Sequence, residues 1–287
     1  MSHHAAFIGF GEAGRAFAWS GARAFDRKTD EPASRGEMLA AYALASVDGA
    51  ESAAAALAGA QTILCLVTAD QALAAARDYA RFLQPGALWL DMNSVAPETK
   101  RAAAQAIEAA DGRYVDVAVL APVHPARRAV PLLASGPHAD AALALLGGFG
   151  FTDARRIEGD IGAASAVKMI RSVMVKGIEA LTAECVIAAE AAGVRNEVLA
   201  SLDASEKARG WADRADYNLE RMLAHGLRRA AEMEEVVKTL DALGTGSAMS
   251  RGTVERQRAL GCLGIAAPKG LAAKLAVLLS PKQEKAA

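Results

Sequence analysis

The stretch AAFIGFGEAGRAFAW, residues 5–19, decides how the rest of the chain is read. A short apolar run leads straight into GFGEAG, where Gly9, Gly11 and Gly14 form a GxGxxG, and RAFAW continues with helical character. Strand, glycine turn and helix in that order give the motif its mechanism. The first glycine permits a tight turn, the second lets a pyrophosphate approach the backbone, and the third lets helix and strand pack closely. The phosphates then meet unpaired amides and the positive end of the helix. Against the alternative of an ordinary glycine-rich turn, Gly9, Phe10, Gly11, Glu12, Ala13 and Gly14 are expected to bind a dinucleotide.

Outward from this loop, short apolar runs alternate with Ala-rich helical segments. Strand-like runs are AAFIG (5–9), ARAFD (22–26), YALAS (42–46), TILCLV (62–67), ALWLDM (87–92), RYVDVAVL (113–120), AVPLLAS (129–135) and FTDARRIE (151–158). Between them lie ESAAAALAG, DQALAAARDYARFL and PETKRAAAQAIEAA, the last opening with Pro97 where a helix N-terminus favours proline. Such repetition predicts a mainly parallel sheet covered on both faces. After Gly159 the strand signals fade and long Ala/Leu/Met/Glu segments take over. The expected fold is an α/β Rossmann domain over 1–159 followed by an all-α domain over 160–287, with substrate-binding and dimerisation assigned to the second.

The segment from Gly162 to Ala192 reads as one helix of roughly 45 Å at 1.5 Å per residue. Because its apolar residues fall on nearly every side, burial is expected, as the central helix of the second domain and shared with another subunit. Gly193 is the expected stop, and the tail SPKQEKAA is expected to fray.

Composition narrows the function classes. With 32 basic and 33 acidic residues the formal net charge of the 287-residue chain is −1. No whole-chain field then favours nucleic acid or an anionic membrane. Cys65, Cys185 and Cys262 lie far apart among apolar residues, as reduced thiols do, and show no zinc spacing. The start of the chain enters a strand too early for a signal peptide, and no run is apolar enough to span a bilayer, so a cytoplasmic protein is expected.

Asp26 ends the second strand, where a carboxylate can accept hydrogen bonds from both ribose hydroxyls of an adenosine. That gives NAD a slight preference, although Arg27 and Lys28 follow and can hold the 2′-phosphate of NADP. Asp26 comes soon after Gly14, so either the first helix is short or the second strand is misplaced. Val67 closes the run TILCLV and Thr68 follows it, and both are counted with the cofactor contacts. In DMNSVAP (91–97), Asn93 and Ser94 stand at the carboxyl edge of the sheet, where open α/β sheets bind ligands, and Ser94 is also placed to cap a helix. In GDIGAASAVKMIRS (159–172), Lys168 and Ser172 share a helical face. A lysine inside so apolar a helix costs free energy unless it is paired or used.

GFGEAG, DMNSVAP, VDVAVLAP and the lysine after a glycine turn, in this order over nearly the first 180 residues, resemble the β-hydroxyacid dehydrogenase superfamily, which includes 6-phosphogluconate dehydrogenase. The resemblance implies NAD or NADP, Lys168 as general acid/base on the substrate hydroxyl, and contacts of Asn93 and Ser94 with nicotinamide, its ribose or substrate. A free lysine, with a pKa of about 10.4, is a poor base at neutral pH, so the site must lower that value by desolvation or a neighbouring cation such as Arg171. Two positions depart from the family. Ser172 stands where the family has asparagine, and Leu120, Ala121 and Pro122 replace the serine and glycines that hold a substrate carboxylate. Ala121 stays a substrate-contact position, and His124, Arg127 and Arg128 in VHPARR are candidate replacements for the lost grip.

The second half resembles a less-characterised branch with a phosphogluconate-dehydrogenase-like C-terminal domain of the DUF1932 type. There, His225, Arg228, Arg229 and Glu232 share one helical face, which either recognises an anion or is a solvated face with internal ion pairs. His225 and Arg228 are the expected substrate contacts, and the resemblance implies a homodimer in which they can complete the neighbouring subunit's site. Oxidation of a small hydroxy acid, or reduction of its oxo acid, is the leading function. The alternatives are an imine reductase on the same fold and a non-catalytic dinucleotide sensor. No nucleic-acid or membrane partner is expected, and the substrate is a small anion.

Overall fold

The computed structural model describes residues 5–280 apart from Glu206, Lys207 and Arg209, with Glu179, Glu232, Glu235 and Lys238 described by their backbone alone. The side chain of Glu232, the last member of the expected charged face, and all but the first residue of the tail therefore lie outside the described residues. The chain divides into two compact units, Met1–Val173 and Met174–Ala287.

The first unit is built on an eight-stranded sheet of order β3-β2-β1-β4-β5-β6-β7-β8. The strands are β1 (Ala5–Ile8), β2 (Arg23–Phe25), β3 (Asp48–Gly49), β4 (Thr62–Cys65), β5 (Leu88–Asp91), β6 (Arg113–Val119), β7 (Leu132–Ser135) and β8 (Ala154–Arg156). All neighbours pair parallel except β6 and β7. Alternate residues of each central strand enter opposite cores: Phe7, Leu64, Leu90 and Val115 on one face, Ile8, Ile63, Trp89 and Tyr114 on the other. Burial on both faces explains why the strands read as apolar runs without a polar side. The covering helices are α1 (Glu12–Phe17), α2 (Pro32–Leu44), α3 (Ala53–Leu57), α4 (Ala72–Tyr79), α5 (Pro97–Glu108) and α6 (Ala139–Gly148). Strand order reverses between β1 and β4, which opens a crevice at their carboxyl ends.

One expected strand is a helix instead. YALAS (42–46) belongs to α2 and the turn behind it, and the edge strand is only Asp48–Gly49. Pro32 opens α2 at its first turn, and the buried Met38, Ala41 and Tyr42 follow a helical stripe. The apolar run was part of that stripe. The first helix is as short as the spacing to Asp26 demands, six residues.

Helix α7 (Ala163–Ala191) crosses the boundary between the units, with Gly193 behind it at φ +72°. Its first turns pack on the sheet, where Ala164 is buried with Ala118 and Leu133. Burial of the whole helix does not occur within the chain. Val167, Ile170, Met174, Ile178 and Leu181 form an exposed apolar stripe at helical spacing, and Val173, Val175 and Ile187 are exposed beside it. The remaining elements of the second unit are α8 (Arg195–Ser205), α9 (Trp211–Leu243), α10 (Ala248–Gly261) and α11 (Leu271–Leu279). Helices α9 and α10 meet at Gly226 and Gly261, where a Cβ added to Gly226 would lie 2.3 Å from the Gln257 carbonyl oxygen. Among the described residues no helix is long and apolar enough to cross a membrane.

Candidate active site

The glycine loop joins β1 to α1, and each glycine answers to a different constraint. Gly9 has φ +88°, and a Cβ there would lie 2.5 Å from the Leu66 carbonyl oxygen. At Gly14 a Cβ would lie 2.8 Å from the Gly9 carbonyl oxygen, so this position brings helix and strand together. Gly11 differs from both. Among the described residues nothing beyond its own chain neighbours lies within 4 Å of its Cβ position, and it borders a cavity of about 890 Å³ at the carboxyl ends of β1, β2 and β4. The open side of Gly11 is the cradle that a diphosphate needs. Ile8, Glu12, Asp26, Arg27, Lys28, Val67, Thr68 and Gln71 also border this cavity. Phe10 does so only through its neighbours, because its ring is buried against Phe7 and Tyr42.

Asp26 is held in place rather than left loose at the strand end. One carboxylate oxygen accepts the Phe10 amide at 2.7 Å and the other accepts the Lys28 amide at 3.0 Å. Behind it, the Asp26 amide donates to the Tyr42 hydroxyl oxygen at 2.7 Å. Burial is the main cause that pushes the Tyr42 phenol up to about 12. Since a carboxylate has about four acceptor sites, Asp26 still has capacity for ribose hydroxyls. Arg27 donates across the cavity to Gln71 Oε1 at 2.5 Å. The rim is predominantly acidic, with Glu12, Asp26, Asp30, Glu31, Asp70 and Asp78 against Arg27 and Lys28.

A second cavity of about 390 Å³ shares Glu12, Leu66 and Val67 with the first, so the two adjoin. It is lined by Ala13, Met92, Asn93, Ser94, Val119, Ala121, Pro122, Val123 and the half-buried Lys168. Lys168 Nζ donates to Ser94 Oγ, which brings together the two motifs singled out at residues 91–97 and 159–172. Ser172 turns elsewhere. Its hydroxyl donates to the Lys168 carbonyl at 2.9 Å, the back-bond to residue i−4 that helical serines often make.

The candidate replacements for the carboxylate grip are not brought into this cavity. His124 is exposed and absent from its lining. Arg127 donates to the Ala16 carbonyl at 3.3 Å and Arg128 to the Phe149 carbonyl at 2.6 Å, while Arg171, the cation expected beside Lys168, donates to the Leu120 carbonyl at 3.2 Å. These guanidiniums tie down the chain. His225 and Arg228 are exposed on one face of α9 in the second unit.

Beneath Asn93 and Ser94 lies a polar network that the motifs did not announce. Asp91 and Asp116 are cross-strand partners, and with Lys100 of α5 all three are fully buried. Lys100 Nζ donates to the Asp91 carbonyl at 2.5 Å and Oδ1 at 2.9 Å, and lies 3.3 Å from Asp116 Oδ1. Tyr114 donates to Asp91 Oδ2 at 2.7 Å, and burial is the chief reason its phenol is pushed well above the usual value. Asn93 donates its amide and Nδ2 to Asp91 Oδ1, at 2.9 and 2.8 Å, and Nδ2 also to Cys65 Sγ at 3.3 Å. Burial, and after it the Asp91 charge, pushes the Cys65 thiol up to about 12. The one available signal was Lys100 itself, a lysine at i, i+3, i+4 and i+7 with the buried Ala103, Ala104 and Ile107.

Residues 4–145 match the NAD-binding domain of 6-phosphogluconate dehydrogenase, and residues 189–260 match a domain of unknown function, DUF1932. The chain belongs to the 6-phosphogluconate dehydrogenase-like family. A conserved hypothetical protein of Sinorhizobium meliloti 1021 is 35% identical over 97% of this chain and 96% of that one, with a TM-score of 0.60. A conserved protein described as structurally similar to 3-hydroxyacid dehydrogenases is 27% identical, covering 91% of this chain and 99% of that one, with a TM-score of 0.57. An uncharacterized 28.5 kDa protein in the 7S RNA 5′ region of Methanothermus fervidus is 27% identical over 61% of this chain. That match spans 66%, just under two thirds, of the relative's own length. An imine reductase from Myxococcus stipitatus in complex with NADP+ has the same fold, with a TM-score of 0.70 at 16% identity over 96% of this chain and 99% of that one. For this 6-phosphogluconate dehydrogenase-like protein, NAD(P) is thus the group the first cavity must fit, and the open Gly11 and the Asp26 strand end fit it.

Proposed function

We propose that the protein is an NAD(P)-dependent oxidoreductase acting on a small hydroxy acid or the matching oxo acid, with Lys168 as general acid/base. The observation that carries this reading is the contact of Lys168 with Ser94 in a cavity adjoining the glycine-loop crevice. A bound nicotinamide supplies the hydride chemistry. In the reducing direction the Lys168 ammonium gives a proton to the oxygen of the substrate, and in the oxidising direction Nζ takes that proton back. Ser94 accepts from Lys168, which leaves its own hydroxyl hydrogen to orient the reacting oxygen. Asn93, held by Asp91 and Cys65, presents a buried Oδ1 with no hydrogen-bond partner, an acceptor suited to a ligand donor.

NAD is the proposed cofactor, because the acidic rim around Asp26 disfavours an additional phosphate. His225 and Arg228 are proposed to bind the acid group of the substrate, so Arg228→Ala should raise KM and leave cofactor affinity unchanged. A homodimer is proposed along α7, whose exposed apolar stripe is larger than a solvated helix surface ordinarily carries.

A second reading, reduction of a C=N bond, is favoured by the lining of the second cavity. Among the described residues Lys168 is the one cation that lines it, and Met92, Val119, Pro122 and Val123 give it an apolar wall. One screen separates the two. Purified protein is supplied with NAD(H) or NADP(H) and with hydroxy acids, sugar acids, their phosphates, oxo acids or cyclic imines, and the reduced-nicotinamide absorbance is followed. Turnover with hydroxy or oxo acids and none with imines is expected. Turnover of imines alone would replace the first reading by the second.

A further inference from the structure

Three elements present residues to the second cavity: the end of β5 with Asn93 and Ser94, the end of β6 with Val119 and Ala121, and the second turn of α7 with Lys168. Below the cavity, the same three elements are joined by buried charge. Asp91 closes β5 and Asp116 faces it across the strand pair, an arrangement of like charges that is unfavourable without a counter-ion. Lys100 reaches up from α5 between them. Its ammonium donates to the Asp91 carbonyl and Oδ1 and lies 3.3 Å from Asp116 Oδ1, so one buried cation is hydrogen-bonded to the first carboxylate and ion-paired with the second.

Each carboxylate then passes that geometry to a cavity residue. Asp91 Oδ1 holds both nitrogens of Asn93, and Ser94 is the next residue. Asp116 Oδ2 accepts the amides of Gly162 and Ser165, at 3.1 and 2.9 Å, and the Ser135 hydroxyl at 3.2 Å. Its Oδ1 accepts the Ser165 hydroxyl at 2.5 Å, and Ser135 Oγ accepts the Ala164 amide at 3.0 Å. Asp116 and Ser135 together anchor the start of α7, and Lys168 follows Ser165 by one helical turn on the same side. Lys100 is thus the ion that joins the carboxylate holding the Asn93–Ser94 turn to the carboxylate anchoring α7, in addition to the pairing of β5 with β6.

We propose that Lys100 is a positioning residue for the Lys168–Ser94 contact: its buried ammonium fixes the Asn93–Ser94 turn against the start of α7. Lys100 touches neither cavity and acts through Asp91 and Asp116. This inference rests on the reading of Lys168 and Ser94 as the reacting pair, but its test requires no turnover. Were Lys100 only a fold-stabilising charge, its removal would lower stability without selectively altering Lys168.

The test is site-resolved acylation of lysines by an amine-reactive ester at neutral pH, quantified by mass spectrometry, on the folded full-length chain without cofactor. In Ser94→Ala, loss of the acceptor should raise the labelling rate of Lys168, which calibrates the readout. In Lys100→Met, Lys168 should label at least threefold faster than in the wild type while Lys28 and Lys176 keep their rates. An unchanged Lys168 rate in Lys100→Met, with Ser94→Ala responding, would overturn the proposal, and so would an equal rise at all three lysines. Should Lys100→Met fail to fold, Lys100→Gln, which keeps a hydrogen-bond donor and removes the charge, is read in the same way. Failure of the reading of Lys168 as general acid/base shows separately, as turnover that survives Lys168→Ala.

Discussion

At residue scale, the charge of a single side chain decides what each part of the crevice accepts. Asp26 is anchored by two backbone amides and still offers lone pairs to a ribose. Asp26→Ala should weaken NAD binding and narrow the gap to NADP, measured by nucleotide fluorescence titration. NADPH binding at least tenfold tighter than NADH in the wild type would instead make Arg27 and Lys28 the dominant contacts. Lys168→Ala should lower turnover by about 100-fold or more while leaving cofactor affinity nearly intact, the usual cost of losing a general acid/base. Cys65 has a different role. With its thiol pushed from 9.0 to about 12 by burial, it stays protonated in the folded state where the unfolded chain ionises. Its contribution to stability is full below pH 9 and is lost as pH rises toward 12. Denaturant midpoints between pH 9 and 11 should accordingly fall less steeply in Cys65→Ala than in the wild type. An equally steep fall in both would assign the alkaline loss to other groups, Tyr42 and Tyr114 first.

At the scale of elements, glycine placement was legible where it served a motif and hidden where it served packing. Gly9, Gly11 and Gly14 could be assigned separate roles from spacing alone, because a turn, a ligand approach and a helix–strand contact occur in fixed order. Gly226 and Gly261 carry no such pattern, and only the crossing of α9 and α10 reveals why both lack side chains. Gly226→Ala should destabilise the second unit by about 1–3 kcal/mol, the range for overpacking. Calorimetry that found Gly226→Ala as stable as the wild type would mean that the two helices separate easily. The same scale explains the misread YALAS run. Alanine and leucine serve strands and helices alike, and Met38, Ala41 and Tyr42 disclose a helical stripe only when Pro32 is taken as its start.

At the scale of the whole molecule, α7 dominates the expectation. Ile170 and Val173 are each 70% exposed in the single chain, and apolar neighbours continue the surface in both directions. Light scattering at micromolar concentration should give the mass of a dimer, and Ile170→Glu with Val173→Glu should shift it toward the monomer by placing charges on the apolar surface. A strictly monomeric wild type would refute the dimer.

The sequence by itself determined the alternating architecture and the dinucleotide loop, and singled out a serine-bearing strand end and a helical lysine as separate candidates. These depend on local order: periodicity, glycine spacing and the place of a residue at an element's end are written along the chain. Only the tertiary structure decided that Lys168 meets Ser94, that Ser172 bonds its own helix, and that Arg127, Arg128 and Arg171 are spent on carbonyls. It also decided the Asp91–Lys100–Asp116 network, in which strand register brings Asp91 beside Asp116 and the packing of α5 delivers Lys100 to both. A side chain's spacing tells which face of its element it occupies. What waits on that face is set by the packing of other elements, and a charged residue has meaning only together with the partner that the packing delivers.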